Sequence, residues 1–248
     1  MKNKVVVVTG ATSGIGKESC YLLAGRGMAV VAAGRNKAVG KALQEEIVAS
    51  GGKILFVETD VGNETAVQAL IEKTCEHFGG VDYAFNCAAT EGKLVPFIEQ
   101  KASDWQAVID TNLKGVWLCM KYEISAMLKR GGGAIVNVSS HLANFALPGS
   151  SVYTASKAGV NALTRVAAIE YGKRKIRVNA ISPGAVDTAM LERITTEEVR
   201  NAIKEQNPLE KNATARDIAE AALWLLSPLA GHVNGENITI DGGHNLII

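Results

Sequence analysis

The side chains best suited to proton chemistry lie in one stretch of this sequence, from Ser140 to Lys157. Tyr153 and Lys157 are four residues apart in a predicted helix, so both project from one helical face. An ammonium beside a phenol favours the phenolate, and we expect Lys157 to lower the pKa of Tyr153 toward neutrality. Ser140 follows a predicted strand and is placed to hold a carbonyl oxygen. These residues predict acid–base chemistry on a carbonyl or an alcohol, although an ordinary amphipathic helix fits them as well.

A glycine-rich turn, TGATSGIG at residues 9–16, joins the first predicted strand to the first predicted helix. Gly10 permits a tight turn, Gly14 lets the backbone approach a pyrophosphate, and Gly16 permits close packing of the helix on the strand. Phosphates would rest on the helix N-terminus, where free N–H groups and the helix dipole favour anions. The spacing is neither GxGxxG nor a Walker loop. The position of the turn predicts nucleotide binding; the alternative is a purely structural turn.

Apolar runs alternate with amphipathic segments along the chain, and no linker or internal repeat interrupts them. Strands are predicted at residues 5–8, 29–33, 54–57, 83–85, 134–138, 177–181 and 237–240. Helices are predicted at residues 14–26, 42–48, 67–78, 103–128, from 150 or 151 through 157, 196–205 and 215–226. Continuously apolar strands indicate a parallel sheet covered on both faces. We therefore predict one α/β domain over residues 1–248, a doubly wound, Rossmann-type parallel sheet of about seven strands.

Open parallel sheets bind ligands at the carboxyl ends of their strands. The candidate residues follow six different predicted strands: Thr9 and Gly10, Gly34 and Arg35, Asp60, Asn86, Ser140, and Pro183 with Gly184. Because all of these strand ends meet at one edge of the sheet, we expect a single site there.

Composition narrows the classes of function. The 248 residues carry a net charge of +1, which gives no reason to expect nucleic acid or an anionic membrane as a partner. No apolar run approaches the ~18 residues of a membrane-spanning helix. The four cysteines are scattered without a CxxC pair, which favours free thiols in a reducing cytosol and a cytoplasmic protein. The four histidines form no metal motif, so we predict no catalytic metal.

Several short sequence motifs occur together and in a fixed order along the chain. They are TGATSGIG, NCAA at 86–89, DTNLKG at 110–115, NVSS at 137–140, YTASK at 153–157, PGAVDT at 183–188 and DGG at 241–243. Each motif alone is weak, but the set resembles the classical short-chain dehydrogenase/reductase family over essentially the whole chain. The resemblance implies an oxidoreductase that uses a nicotinamide cofactor.

The resemblance also implies roles for individual residues. Tyr153 matches the acid/base, and Lys157 matches the residue that lowers its pKa and binds the nicotinamide ribose. Ser140 matches the serine that holds the substrate oxygen, because the family places that serine 13 residues before the tyrosine. The alternation of side chains along a strand supports this choice only in part, because it puts Ser139 and Ser140 on opposite faces without saying which face the substrate meets. Asn112 matches the residue that holds a water in a proton relay; its alternative is a buried polar side chain that satisfies helix backbone.

Cofactor contacts follow from the same resemblance. The residues implied are Gly10, Ser13, Gly14, Ile15, Gly16, Arg35, Asn36, Asp60, Val61, Asn86, Ala88, Tyr153, Lys157, Pro183, Gly184, Val186 and Thr188. Of these, Asp60 and Val61 match the adenine contacts, and Val186 and Thr188 match the contacts to the nicotinamide carboxamide. The family commonly has NNAG where this chain has NCAA, which leaves the backbone packing at Ala89 in doubt. Cys87 is expected to be a small core residue rather than a nucleophile.

The choice of nicotinamide rests on the end of the second strand. Relatives that prefer NAD resemble one another in carrying Asp there, whereas this chain has Gly34 followed by Arg35 and Asn36. An arginine binds a 2′-phosphate through charge-assisted hydrogen bonds, so we predict NADP(H), with Arg35 as the main determinant and Ser13 as a helper. The alternative is a solvated surface arginine.

The reaction expected is reversible hydride transfer between NADP(H) and a ketone or secondary alcohol of modest size. A 3-oxoacyl thioester reductase that uses an acyl-carrier protein is the alternative, with Lys204 and Lys211 as candidate contacts. A non-enzymatic nucleotide sensor on the same fold is a third reading. Residues 189–212 either form an apolar lid over the substrate or anchor a helix to the core.

The resemblance further implies a homotetramer. Its contacts would come from the helix at 103–128, the helix that carries Tyr153, and the C-terminal segment. The apolar tail Leu246-Ile247-Ile248 is consistent with burial against another subunit.

Overall fold

A computed structural model describes residues 1–246 of the chain. Its centre is a sheet of seven strands in the order β3-β2-β1-β4-β5-β6-β7, and every neighbouring pair is parallel. The strands are β1 (Val5–Thr9), β2 (Ala29–Gly34), β3 (Lys53–Glu58), β4 (Tyr83–Asn86), β5 (Gly133–Val138), β6 (Ile176–Pro183) and β7 (Asn237–Ile240). The predicted doubly wound parallel sheet is confirmed, and each predicted strand lies within a residue or two of the observed one.

Helices cover both faces of this sheet. In chain order the α-helices of the described residues are α1 (Gly14–Gly25), α2 (Lys37–Ala49), α3 (Glu64–Phe78), α4 (Ala102–Ile109), α5 (Gly115–Arg130), α6 (Ser151–Tyr171), α7 (Ala189–Ile194), α8 (Glu197–Gln206) and α9 (Ala215–Leu226). Residues 103–128 are helical, as predicted, but they do not form one regular α-helix. A π-helical turn, Asp110–Lys114, separates α4 from α5. Such turns interrupt α-helices frequently at functional sites, and this one contains Asn112.

Alternation along β1 divides the core into two layers. Val6 and Val8 pack on the face covered by α1, α2 and α9, and Val5 and Val7 pack on the face covered by α3, α5 and α6. All five residues of β1 and all six of β2 are buried. Each large aliphatic side chain removed from water in this way contributes about 1.5–3 kcal/mol, which explains why the central strands read as continuous apolar runs.

Local signals set the ends of several helices. The side chains of Asn36 and Asn63 accept from backbone N–H groups at the starts of α2 and α3, and Thr214 forms a capping box with Asp217 at α9. At α6 the cap residue makes no hydrogen bond of this kind. Ser150 occupies the cap position, but its hydroxyl contacts the carbonyl of Leu147 and the hydroxyl of Thr154 instead of a helical N–H group.

The strand order places β1 between β2 and β4, so successive crossovers leave β1 in opposite directions. A crevice forms outside the carboxyl ends of the strands at such a reversal. Within residues 1–246 no helix is long and apolar enough to cross a membrane. The four cysteines are free, and no group of three His, Cys, Asp or Glu side chains in the described part of the chain is arranged to hold a metal.

Candidate active site

Helix α6 and the end of β5 bring the predicted acid–base residues together. Tyr153 and Lys157 lie one turn apart on α6, and the Lys157 ammonium is 5.7 Å from the centre of the Tyr153 ring. Ser140 follows β5, is buried, and its hydroxyl contacts the Tyr153 hydroxyl, which partly counters the effect of burial on the phenol's pKa. Ser139 instead donates to the backbone carbonyl of Lys157 at 3.0 Å, so it anchors α6 and leaves Ser140 beside the phenol.

The expected lowering of the Tyr153 pKa is not what this structure shows. Burial raises the pKa of Tyr153 to about 12 and outweighs the contact with Ser140. The Lys157 ammonium is directed elsewhere, because it donates to the carbonyl of Val138 at 2.8 Å. Burial also lowers the pKa of Lys157 to about 8, so its charge is itself weakly held. Tyr153 is therefore a protonated phenol here, suited to donating a proton.

Asn112 ties the loop after β4 to α6. Its side-chain carbonyl accepts from the backbone N–H of Thr90 at 2.8 Å. Its amide group donates to the Thr90 carbonyl at 2.9 Å and to the Ser156 hydroxyl at 3.2 Å. The side chain thus bonds loop backbone rather than helix backbone, and its role in a water relay stays a prediction.

The end of β4 packs against the glycine-rich turn. The backbone N–H groups of Cys87 and Ala88 donate to the hydroxyl of Thr9 at 3.1 and 3.2 Å. A Cβ atom on Gly10 would lie 2.9 Å from the backbone of Ala88, which requires glycine there. Burial raises the pKa of the Cys87 thiol to about 12, so a thiolate nucleophile is not supported.

The glycine-rich turn fits a phosphate group. Gly10 and Gly14 have φ angles of +67° and +48°, which other residues rarely adopt. A Cβ on Gly16 would lie 2.4 Å from the carbonyl oxygen of Gly10, so close packing of α1 depends on this glycine. Ser13 stands at the N-cap of α1 without a hydrogen bond from its side chain to the helix, and the first turn holds no acidic residue. The first turn, which includes Ile15, therefore offers free backbone N–H groups to an anion.

The end of β2, where the cofactor ribose would bind, carries glycine instead of an acidic residue, and local packing explains this. A Cβ on Gly34 would lie 2.9 Å from the Thr12 side chain, so Thr12 fills the space that a longer residue would need. Arg35 is exposed, and within the described residues no acidic side chain forms an ion pair with it. The side chain of Asn36 accepts from Val39 N–H at 3.1 Å, so its observed contact caps α2.

The residues predicted to contact the adenosine part of the cofactor differ in exposure and in hydrogen bonding. Asp60 is exposed and accepts from Gly62 N–H at 3.0 Å, whereas the side chain of Val61 is buried. Asn86 turns inward, because its amide donates to Glu123 and to Asn137, both at 3.0 Å. Only its backbone is left for the cofactor contact implied by the resemblance.

The segment after β6 returns across the glycine-rich turn. Pro183 ends β6, and Gly184 packs on Asp241, where a Cβ would lie 2.7 Å from the aspartate Cβ. Val186 is buried, and Thr188 approaches Gly14, with its methyl carbon 3.3 Å from where a Cβ would stand. This segment and the glycine-rich turn therefore form opposite walls of one crevice.

Sequence reasoning missed a charged contact at the mouth of this crevice. Glu91, in the loop after β4, and Arg193, in α7, form an ion pair with a shortest distance of 2.8 Å. The two residues are 102 positions apart, and neither belongs to a recognisable motif. No pattern in a single sequence identifies such a pair.

Comparison with curated proteins finds relatives along the whole chain. A short-chain dehydrogenase/reductase of Aspergillus oryzae is 40% identical, covering 100% of this chain and 97% of the relative. A 2,5-dichloro-2,5-cyclohexadiene-1,4-diol dehydrogenase of Sphingobium indicum is 39% identical, covering 100% and 99%. A 3-oxoacyl-[acyl-carrier-protein] reductase of Synechocystis is 36% identical, covering 97% and 96%.

Solved structures and a family model agree with these relatives. Levodione reductase superposes with a TM-score of 0.96 at 33% identity, covering 100% of both chains. A variant of actinorhodin polyketide ketoreductase, solved with NADPH, superposes with a TM-score of 0.94 at 30% identity, covering 98% of this chain and 99% of that one. A family model described as enoyl-(acyl carrier protein) reductase matches residues 10–245.

Proposed function

Because this chain belongs to the short-chain dehydrogenase/reductase family, we propose that it transfers a hydride reversibly between NADP(H) and a ketone or secondary alcohol of modest size. The observation that carries the proposal is the gathering of Ser140, Tyr153 and Lys157 at one edge of the sheet, beside a turn that fits phosphate. A nucleotide sensor would have no need of a protonated phenol beside a serine hydroxyl in the same crevice.

Each residue of the site has a distinct task in this reaction. Ser140 donates a hydrogen bond to the substrate oxygen and holds it near the phenol. Tyr153 gives its proton to that oxygen as the carbonyl becomes an alcohol, and takes the proton back in the reverse direction. A nicotinamide cofactor held in this crevice would supply the hydride for reduction and accept it in the reverse direction. Lys157 and Asn112 hold α6 and the loop after β4 in place around the phenol.

The choice of NADP(H) over NAD(H) is supported by charge at the end of β2. Arg35 is exposed without an acidic partner among the described residues, and Gly34 offers no carboxylate to repel a 2′-phosphate. Ser13 adds a hydroxyl at the N-terminus of α1. The NADPH in the related ketoreductase structure is consistent with this choice.

Two substrate classes follow from the relatives. The dehydrogenase of Sphingobium is named for a six-membered ring with two oxygens, which favours a small cyclic ketone or alcohol. The 3-oxoacyl-[acyl-carrier-protein] reductase of Synechocystis supports the alternative, a 3-oxoacyl thioester, and the description of the matching family model also names an acyl-carrier protein. We propose the small ketone as the principal substrate. The lid would then be the segment 189–212, which contains α7 and α8.

A substrate panel tests the proposal. NADPH and NADH oxidation would be followed with cyclohexanone, cyclohexane-1,4-dione and acetoacetyl-coenzyme A, and the reverse reaction with the matching alcohols. We expect a cyclic ketone with NADPH to give the highest kcat/KM. A higher kcat/KM for acetoacetyl-coenzyme A would establish the thioester alternative, and cofactor binding without any turnover would favour a sensor.

Two further features belong to this proposal. We infer a homotetramer, because exposed apolar side chains lie on the helices named for the contact, among them Trp117 on α5 and Ile169 on α6. The Ile247-Ile248 part of the predicted tail contact lies outside the described residues. The four free cysteines favour a reducing compartment, and we place the enzyme in the cytoplasm.

A further inference from the structure

The ion pair between Glu91 and Arg193 has the geometry of a two-bond fork. The Arg193 guanidinium donates from Nε to Glu91 Oε1 at 2.8 Å and from Nη2 to Oε2 at 3.3 Å. Such a fork holds the direction of both side chains as well as their distance. The Glu91 side chain is 17% exposed and that of Arg193 is 58% exposed. The guanidinium is therefore mostly in solvent, whereas the carboxylate of the loop residue is mostly buried.

This contact spans the mouth of the site. At one end of the span, Thr188 packs against the glycine-rich turn. At the other end, Arg193 meets Glu91, next to Thr90, which Asn112 holds in place. Helix α7 lies between these two contacts, so it crosses from the turn that fits phosphate to the loop beside α6.

Glu91 also lies near the proton donor. Burial has the largest influence on the phenol of Tyr153, and the charge of Glu91 raises its pKa further. The carboxylate is thus within electrostatic range of the reacting oxygen, while the hydrogen bonds from Arg193 hold the pKa of Glu91 down against burial, so that it stays ionised.

Little else fastens α7 to the body of the protein. None of the residues in α7 or in the following α8 is buried. An element with no fully buried side chain opens at low free-energy cost, and closing elements of active sites are drawn from such regions. An ion pair whose arginine is mostly in solvent contributes little to global stability, but it is sufficient to bias an opening equilibrium that is itself close to balance.

We propose that Glu91 and Arg193 are positioning residues whose ion pair holds α7 closed over the substrate beside Tyr153 and breaks when the substrate enters or leaves. The inference rests on the proposed function for its catalytic consequence. The closure itself is a property of the chain without ligand and is measurable independently.

Hydrogen exchange of the ligand-free chain tests the closure. Glu91→Gln and Arg193→Gln each remove one charge of the pair, and Lys93→Gln is the matched control. Lys93 lies two residues from Glu91 and pairs with Asp104 at 3.1 Å, away from α7. We expect several-fold faster exchange in peptides that cover α7 for the first two variants, and no change for the control. Wild-type exchange at α7 in both variants would overturn the proposal.

Kinetics with cyclohexane-1,4-dione and NADPH test the consequence. Each single variant should raise KM several-fold with a smaller effect on kcat, and the double variant should be no worse than either single one, since the same contact is lost. Arg193→Lys, which keeps the charge, should restore part of the KM. Independent effects that multiply in the double variant would contradict a shared contact. Faster exchange in a chain that turns over no ketone would support the closure and refute the proposed reaction.

Discussion

Arg35 is the residue on which coenzyme preference depends. Replacement of Arg35 by Ala removes the exposed cation next to Gly34 and leaves the remainder of the turn in place. Because a charge-assisted hydrogen bond to a phosphate contributes about 1.5–3 kcal/mol, the ratio of kcat/KM for NADPH to that for NADH should fall by ~10-fold or more. Lys37→Ala, which removes a cation paired with Glu58 on the same edge, serves as the control. An unchanged ratio in Arg35→Ala would show that the arginine is an idle surface residue.

Glu123 is a fully buried acid for which the proposed reaction has no use. It accepts from the Asn86 amide at 3.0 Å, and burial raises its pKa to about 8 from an ordinary value of 4.5. Among the described residues, Oε1 of Glu123 and Oδ1 of Asn86 have no hydrogen-bond partner. Burial favours the uncharged acid, and a proton on Glu123 would add a hydrogen-bond donor where these two oxygens lack one, so we expect Glu123 to be neutral in the folded protein.

Stability should therefore depend on pH in a definite direction. Below pH 4.5 the acid is protonated in both states, and its contribution to stability is complete. Between pH 4.5 and about 8 only the folded state keeps the proton, so the free energy of unfolding falls as pH rises, by on the order of a few kcal/mol. Glu123→Gln, neutral at every pH, should flatten this slope in urea unfolding. Glu64→Gln, at an exposed acid whose pKa is lowered, should not.

At the residue level, the sequence was sufficient to predict the identity of the acid–base residues but not their protonation states. Ser140, Tyr153 and Lys157 were identified from spacing and resemblance. The protonation state of Tyr153 was not, because it depends on burial and on the turn of the Lys157 ammonium toward Val138. Glu123 and the pair Glu91 and Arg193 belong to no motif, and only the fold brings them to their partners.

Among the elements, α1 tests the packing of the glycine-rich turn. Gly16→Ala would place a Cβ 2.4 Å from the Gly10 carbonyl oxygen, so the helix must shift away from the turn. We expect a loss of about 1–3 kcal/mol in the free energy of unfolding and weaker NADPH binding by fluorescence titration. Gly25→Ala, in the last position of the same helix, meets no atom within 4 Å and should be neutral or slightly stabilising. Equal behaviour of the two variants would contradict the packing role of Gly16.

Secondary structure was predictable where side-chain burial determines it. The valine-rich runs of β1 and β2 are buried on both faces, so their apolar character is continuous in the sequence. The interruption between α4 and α5 was not predictable. It coincides with the hydrogen bonds of Asn112 to the backbone of Thr90, a residue 22 positions earlier, and a helical pattern carries no trace of that contact.

For the whole molecule, assembly depends on which exposed apolar helix faces are covered by another subunit. Val166 and Ile169 are three residues apart on one face of α6 and are 53% and 82% exposed. If this face is an interface, Ile169→Asp should shift the sedimenting species toward a chain of 26.2 kDa. Val48→Asp, at a valine on α2 that is 54% exposed, should leave the assembly unchanged. A wild-type protein that sediments as a monomer at micromolar concentration would refute the oligomer.

The proton on Tyr153 is the centre of the proposed mechanism, and Tyr153→Phe tests it most directly. This variant keeps the ring and its packing on α6 but removes the hydroxyl. We predict a loss of about 10²–10⁴-fold in kcat for ketone reduction, with NADPH affinity unchanged in a fluorescence titration of the same sample. Turnover at the wild-type rate in Tyr153→Phe would contradict the assignment of Tyr153 as the acid.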